Sequence, residues 1–515
     1  MVWTFYEDIF ASIRGYGGSL ALHWCAESQR SREIYQQSGV ELESMFGDDY
    51  PEREIIDDVQ NAPIVTFFYD VMTLYAEVNR VAYTLPDSNT EKAALEDKFD
   101  KFEARSRSLI RLTTITSHPR SRIFDNPELA YEEFKAHDNI VTLLRSLNFE
   151  VTPHAFGVKT SFSCEVGQGG RVLVYNAEYD ALPGIGHACG HNLIAASSIA
   201  SFLGVATALK AANIPGRVRL YGTPAEEGGA GKVELINAGA YKDVDACLMV
   251  HPGPPMPPPV SLGGQGCCVP SGSAYATSLA NTKFNVTFTG REAHAAMAPF
   301  QGRNALDAVV LGYNGVSMLR QQTRPHDRIH SVILEGGQRP NVITSFTKTQ
   351  YYVRSASLKE ATALEGRVKK CMDGAAIATE CEVAYEVHNA YADLRPNRTI
   401  CSLYAAAMAN PSINSPVVCD FEHSQPLPGS TDQGNVSYVV PSFHGGFAIP
   451  CPPGAYNHTK GFTACAGTEA AHDLAMQAGK GMAVAGWRIL CDDTVAVEIW
   501  NDFKKDRALD ENNNY

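Results

Sequence analysis

The chain has 515 residues, which at roughly 100–200 residues per domain means two to four folded units. With 44% hydrophobic and 19% charged residues, its composition excludes wholesale disorder. A formal net charge of -14, from 57 acidic and 43 basic side chains, excludes a general nucleic-acid or acidic-membrane binder.

Residues 1–93 read as a helical extension. Pro63 opens a run in which Ile64, Phe67, Phe68, Val71, Tyr75 and Val78 keep helical spacing until Pro86. The start, MVWTFYEDIF, lacks the basic and apolar blocks of a signal peptide, and the apolar stretch Ser19–Ala26 is too short to cross a bilayer. Thirteen scattered cysteines, an odd number, fit reduced thiols better than a disulfide framework. The expectation is a soluble, cytoplasmic protein.

From residue 94 the pattern changes. A charged helix over Lys92–Leu112 leads to Asp125-Asn126-Pro127-Glu128-Leu129 and a second helix through Leu147. Short apolar runs at 171–176, 218–222 and 246–250 then alternate with helical stretches, which predicts a mostly parallel α/β sheet buried on both faces. Residues 252–277 are rich in Pro and Gly and read as a long rim loop. Between 281 and 390 the order becomes strand, helix, strand, strand, helix, strand. A half-exposed strand is expected at Phe284–Phe288, helices at 304–322 and 358–375, and strands near 329–334, 342–353 and 383–387. That order is ferredoxin-like and predicts an inserted α+β domain. The α/β rhythm resumes over 391–515, with an apolar segment at Tyr438–Val440, a closing helix at Glu469–Ile489 and a frayed polar tail, DENNNY.

Chemistry-bearing side chains gather in four places: Glu178-Tyr179-Asp180, His187-Ala188-Cys189-Gly190-His191, Glu226-Glu227 and His251. Each lies at or just past the carboxyl end of an expected strand, where open α/β sheets bind ligands. Taken singly, each also has a plain structural explanation. A histidine at a strand end is usually a hydrogen-bonded core residue, Cys189 suits an apolar pocket, and paired glutamates suit a solvated turn. Jointly, Cys, His and Glu are the side chains zinc selects, and a mixed set with carboxylates is the kind that leaves a coordination position open for water.

Several stretches together resemble peptidase family M20, the zinc aminoacylases and carboxypeptidases. They are DNPELAYEE (125–133), AEYDALPGIGHACGHN (177–192), GTPAEEGGAGK (222–232), VHP (250–252), FTGREAHAAMAPFQGRNALDA (288–308), STDQGNVSYVVP (430–441) and NHTKGFT (457–463). Within the family the likeness is to the amidohydrolase branch that holds auxin-conjugate hydrolases and the β-alanyl-lysine dipeptidase. It spans about 94–490, and GHN in place of GHD points to the dipeptidase side.

The resemblance implies a zinc-peptidase catalytic domain over 94–280 and 391–515, with residues 281–390 inserted as a lid and dimerisation domain. It implies two divalent ions, Zn2+ with Mn2+ or Co2+ as alternatives. Cys189 would bridge them, His191 and Glu227 would bind one, and His251 and His458 would complete the pair. Asp180 would orient a ligand, Glu226 would act as general base, and His294 would steady the oxyanion, its alternative being a cap on the nearby helix. Glu178 stands where aminoacylases carry a ligand His, and is set aside as a ligand; His187 reads as structural. Asn341 and Arg354 would take the substrate carboxylate, although Arg354 reads equally as a surface residue. Asp432 would face the substrate or the surroundings of the metals.

The implied activity is hydrolysis of an N-acyl amino acid or small dipeptide, with a homodimer through the inserted domain and neither nucleic acid nor membrane as partner. A tailoring amidohydrolase or amide-forming enzyme on the same site is the alternative within enzymes. A non-catalytic binding protein is the alternative outside them, and would be expected to lack a ligand or the base. The extension 1–93, the segment HPRSRIF (118–124) and the loop carrying Cys267-Cys268 depart from the family pattern.

Overall fold

A computed structural model describes residues 123–255, 271–411, 413–423 and 426–512. The expected extension 1–93, the helix at 92–112 and Cys267-Cys268 lie outside the described residues.

In chain order the elements are α1 (Phe134–Ser146), β1 (Val151–Pro153), β2 (Phe162–Gln168), β3 (Val172–Ala177), α2 (His191–Ala212), β4 (Gly216–Gly222), α3 (Gly231–Asn237) and β5 (Ala246–Gly253). They continue with β6 (Gly272–Ser273), β7 (Ala280–Thr289), α4 (Ala305–Leu319), β8 (Arg328–Glu335), β9 (Phe346–Ser355), α5 (Leu358–Thr379) and β10 (Glu382–Val387). The last are α6 (Arg398–Ala409), α7 (Gln433–Ser437), β11 (Ser442–Ala448), α8 (Lys460–Ala466), α9 (Glu469–Cys491) and α10 (Asp493–Asn512).

The larger sheet has the order β1-β2-β4-β3-β5-β11-β6. Its central strands β4, β3, β5 and β11 run parallel, while β1, β2 and β6 pair antiparallel at the edges. Every residue of β3, VLVYNA, is buried, because helices cover both faces. Leu173 and Tyr175 pack into the core that includes α2 and α9, while Val172 and Val174 pack with Leu235, Tyr241 and Val436 on the other side. Helix α2 is long and apolar enough to cross a membrane, but most of it is buried inside this core. Since the central strands are parallel, their carboxyl ends share one edge, and the loops holding the candidate residues leave from it.

The smaller sheet has the order β10-β7-β9-β8, antiparallel throughout, with α4 and α5 on one face. Asn304 and Ser357 cap these two helices, each accepting from a backbone N–H in the first turn. Strand β7 differs from the half-exposed strand expected. Phe284, Val286 and Phe288 pack beneath the helices, yet Asn281, Lys283 and Asn285 on the opposite face are buried too. Alternation of polar residues marks a face, and here that face is covered. The two sheets join where Asn281 and Tyr391 exchange backbone hydrogen bonds.

Two further expectations are corrected. Pro252 and Gly253 belong to β5, and Gly272–Ser273 forms a short edge strand, so the loop is shorter than 252–277. The apolar segment Tyr438–Val440 follows α7 and leads into the hydrogen-bonded ladder, which starts at Ser442. A further helix, α10, follows α9, and its backbone carries Asp510–Asn512 of the supposedly frayed tail.

Candidate metal centre

The candidate ligands reach one place from five chain segments. Gly190, at φ +81, turns the chain into α2, and a β-carbon there would come within 2.5 Å of Pro252 Cγ. A side chain cannot be accommodated at that point, which lets Cys189 and His191 approach the end of β5. His251 places Nε2 3.3 Å from Cys189 Sγ. Its Nδ1 lies 2.8 Å from Pro252 O and therefore carries the proton, so the Nε2 lone pair faces the thiol. His458 arrives after β11 in a left-handed backbone conformation, φ 66°, and its N–H donates to Ala188 O at 2.8 Å.

Two ligand triplets share the thiol. Cys189, His191 and His251 form one, and Cys189, Glu227 and His458 the other, with the ligand atoms of each triplet all within 4.8 Å of one another. This grouping differs from the one the resemblance implied, since His191 joins His251 and Glu227 joins His458. A third group combines Glu178, His191 and Glu226. Glu178, set aside as a ligand, gives one oxygen to Lys232 and turns the other, Oε2, to within 3.5 Å of His191 Nε2.

Asp180 is buried and fully used. Oδ1 lies 2.9 Å from His191 Nδ1, and Oδ2 accepts from Glu227 N–H at 2.9 Å. Burial pushes its carboxyl up, but His191 and these hydrogen bonds outweigh it and hold it below the usual range. The contact places the proton of His191 on Nδ1 and leaves Nε2 as a lone pair. Glu226 behaves oppositely. Burial, and then the nearby Glu178 and Glu227 carboxylates, push it well above its ordinary value. Glu227 is raised by burial but held low by His458 and His191.

The loop before these glutamates is braced from three sides. Ala225 has φ 62°, and its N–H donates to Glu133 Oε1 at 2.9 Å. Tyr131 donates to Gly229 O at 2.9 Å, and a β-carbon on Gly229 would collide with that ring. Tyr391 donates to the backbone oxygen of Glu226 and accepts from Ala230 N–H. DNPELAYEE is thus a brace for PAEEGG. Sequence reasoning passed over Glu133, Lys232, Tyr391 and the buried His444, whose ring centroid lies 5.7 Å from that of His251. The place of Glu133 and Lys232 as the last residues of two matched motifs was the available signal, masked by residue types that usually face water.

Three buried ligand atoms, Glu178 Oε2, His191 Nε2 and Glu227 Oε1, have no hydrogen-bond partner among the described residues. Buried polar atoms are rarely left so. A donor set of one thiol, three imidazoles and carboxylates, with lone pairs converging, fits a pair of divalent cations of the zinc type.

The other candidates belong to none of these ligand groups. His187 is buried against Phe124 near Ile123 O, is pushed down to about 4 by burial, and joins none of the ligand groups. His294 and Asn341 share an exposed corner of the smaller-sheet unit, where Ala295 N–H donates to Asn341 O. His294 Nδ1 accepts from the N–H groups of Ala296 and Met297, which leaves the proton on Nε2. It caps that turn rather than a helix. Arg354, half-buried on β9, donates to Ser430 Oγ at 2.7 Å. Asp432, open between the substrate and the surroundings of the metals, is fully buried and both oxygens are held by Lys232, Oδ1 by Nζ at 2.5 Å and Oδ2 by the backbone N–H at 2.9 Å.

Residues 174–474 match peptidase family M20/M25/M40. The chain is 36% identical over 397 residues to an Xaa-Arg dipeptidase of Mus musculus, covering 74% of this chain and 87% of the relative. It is 32% identical over 335 residues to one subunit of the p-aminobenzoyl-glutamate hydrolase of Escherichia coli, covering 61% of this chain and 66% of that subunit. Among solved structures, a Bacillus subtilis protein described as a dinuclear metal binding peptidase from the M20 family shares the fold, with a TM-score of 0.53 at 18% identity over 73% of this chain and 99% of that one. The chain belongs to peptidase family M20/M25/M40 and is a hydrolase acting on amide bonds.

Proposed function

From that membership we propose that the protein cleaves the amide bond of an N-acyl amino acid or small dipeptide, with Glu226 as general base beside two divalent cations, zinc foremost and manganese or cobalt as alternatives. The observation that carries this reading is the pair of ligand triplets meeting at one thiol. Cys189 would bridge, His191 and His251 would hold one cation, and Glu227 and His458 the other. When bound, such a pair acidifies water and polarises the amide carbonyl.

Glu226 is not needed to complete either triplet, and its surroundings raise its affinity for a proton. It would take the proton of the attacking water on a carboxylate oxygen and return it to the departing amine nitrogen. Asp180 would keep His191 in the tautomer that ligates, through the Oδ1–Nδ1 contact. His294 carries its proton on Nε2, the form needed to donate to a developing oxyanion. Asn341 and Arg354 would hold the substrate carboxylate from the smaller-sheet unit, whose closure as a lid would bring them to the metals.

A homodimer through the same unit is supported by β8. It is an outer strand of its sheet, and its Val332, Ile333 and Leu334 are each about half exposed.

The test is metal analysis of the pure protein coupled to a panel of N-acyl amino acids and dipeptides, with and without chelator. Two equivalents of metal and chelator-sensitive amine release are expected. Metal-free protein that releases amine at the same rate would overturn the reading.

A further inference from the structure

Resting on that hydrolase reading, we propose that Lys283 is a specificity residue, receiving a second anionic group on the amino-acid half of the substrate while Arg354 takes the α-carboxylate. The preferred amine-side residue is then acidic, glutamate or aspartate, rather than arginine.

Lys283 sits on β7 with 5% of its surface exposed. Its ammonium has no carboxylate within ion-pair distance among the described residues; it lies 3.8 Å from the ring centroid of Tyr391 and 5.2 Å from that of Tyr352. Arg354 is half-buried and held by a neutral hydroxyl, Ser430. The strand register puts the two cations on one face, since Asn281 pairs with Arg354 and Lys283 with Tyr352. Diagonal neighbours of this kind are about 7–8 Å apart at the backbone, a gap that two long side chains close around one dicarboxylate.

This face looks toward the chemistry. Tyr391, under the Lys283 ammonium, holds the backbone oxygen of Glu226. Burial holds Lys283 below its ordinary range, and the charges that act on it are Glu226, Arg354, Asp432 and Glu227. No carboxylate pairs directly with this ammonium among the described residues, and proteins rarely keep a largely buried cation so unless a ligand supplies the close charge. An arginine side chain on the substrate would meet two like charges here, whereas a second carboxylate would neutralise one of them.

The experiment uses the full chain loaded with zinc. The ratio of kcat/KM for N-acetyl-glutamate over N-acetyl-glutamine is compared in the native protein, Lys283→Met and Lys283→Arg, with N-acetyl-arginine as the basic control. A preference for glutamate of at least about tenfold is expected in the native protein, kept by the arginine variant and reduced to near unity by the methionine variant. Lys283→Met should melt at the same or a higher temperature, because it removes an uncompensated buried charge; a structural lysine would show the reverse. Calorimetric titration with free L-glutamate and L-glutamine reads the subsite without turnover. Should no conjugate be cleaved, the hydrolase reading fails while this titration still decides the subsite. A native preference for N-acetyl-arginine, or a glutamate preference that survives Lys283→Met in either assay, overturns the proposal.

Discussion

Two lysines are buried near the candidate centre, and they are handled in opposite ways. Lys232, at the start of α3, is fully enclosed and meets Glu178 and Asp432 at 2.5 Å each. Lys283, on the smaller sheet, has no ion pair among the described residues, and the rings of Tyr391 and Tyr352 lie 3.8 and 5.2 Å from its ammonium. Desolvation penalises both, but in one case two carboxylates and a tight geometry offset it. The difference teaches that burial alone does not assign a role. The satisfied lysine works within the fold, tying the end of β3 to the start of α7 and aiming Glu178. The one without an ion pair would, on the subsite proposed above, leave its charge for a substrate. The same contrast separates Asp180, with both oxygens engaged, from Glu178, His191 and Glu227, which retain unpartnered atoms.

Substitutions can break or sharpen this contrast. The largest effect is expected from Glu226→Gln, which should lower kcat by about 10²–10⁴-fold while metal content stays at the native level. Steady-state rates alongside elemental analysis check it, and a parallel loss of metal would make Glu226 a ligand instead of a base. Lys232→Met should destabilise by about 3–5 kcal/mol, since it strands two buried carboxylates; denaturant unfolding measures this, and Lys283→Met treated identically supplies the contrast. Asp180→Asn should weaken metal affinity by about 10–100-fold, read by competition with a chromophoric chelator, because His191 loses the partner that sets its tautomer.

The smallest effect concerns pH. Burial, followed by the charge of Asp180, raises Glu133 to about 7. The folded state therefore holds a proton on it that the unfolded chain releases near its ordinary value of 4.5. The contribution of Glu133 to stability is present below that value and is lost as pH rises toward 7. Thermal unfolding between pH 5 and 8 should show a shallower decline for Glu133→Gln than for the native chain, and equal slopes would remove Glu133 from the account.

Much of the site was legible because its motifs are contiguous and sit at strand ends. GHACGHN and PAEEGG each follow a strand whose apolar run is unmistakable, so their convergence follows from a parallel sheet. Asp432 was left open between two roles because a buried Asp–Lys pair looks in sequence like two surface residues 200 positions apart. Strand β7 was misread for a related reason: alternation identifies a polar face without saying what covers it. Helix α10 was missed since its polar sequence, FKKDRALDEN included, resembles solvated tail.

Residue types and spacing by themselves determined the two sheet units and the ligand chemistry, and the family resemblance supplied the candidate for the base. Which imidazole joins which carboxylate, which oxygen of Glu178 is free, and which buried lysine lacks a counter-charge were decided only when the chain closed. Coordination and ion pairing depend on contacts within a few ångströms, set by distant segments packing together, and no local pattern along a chain encodes those separations.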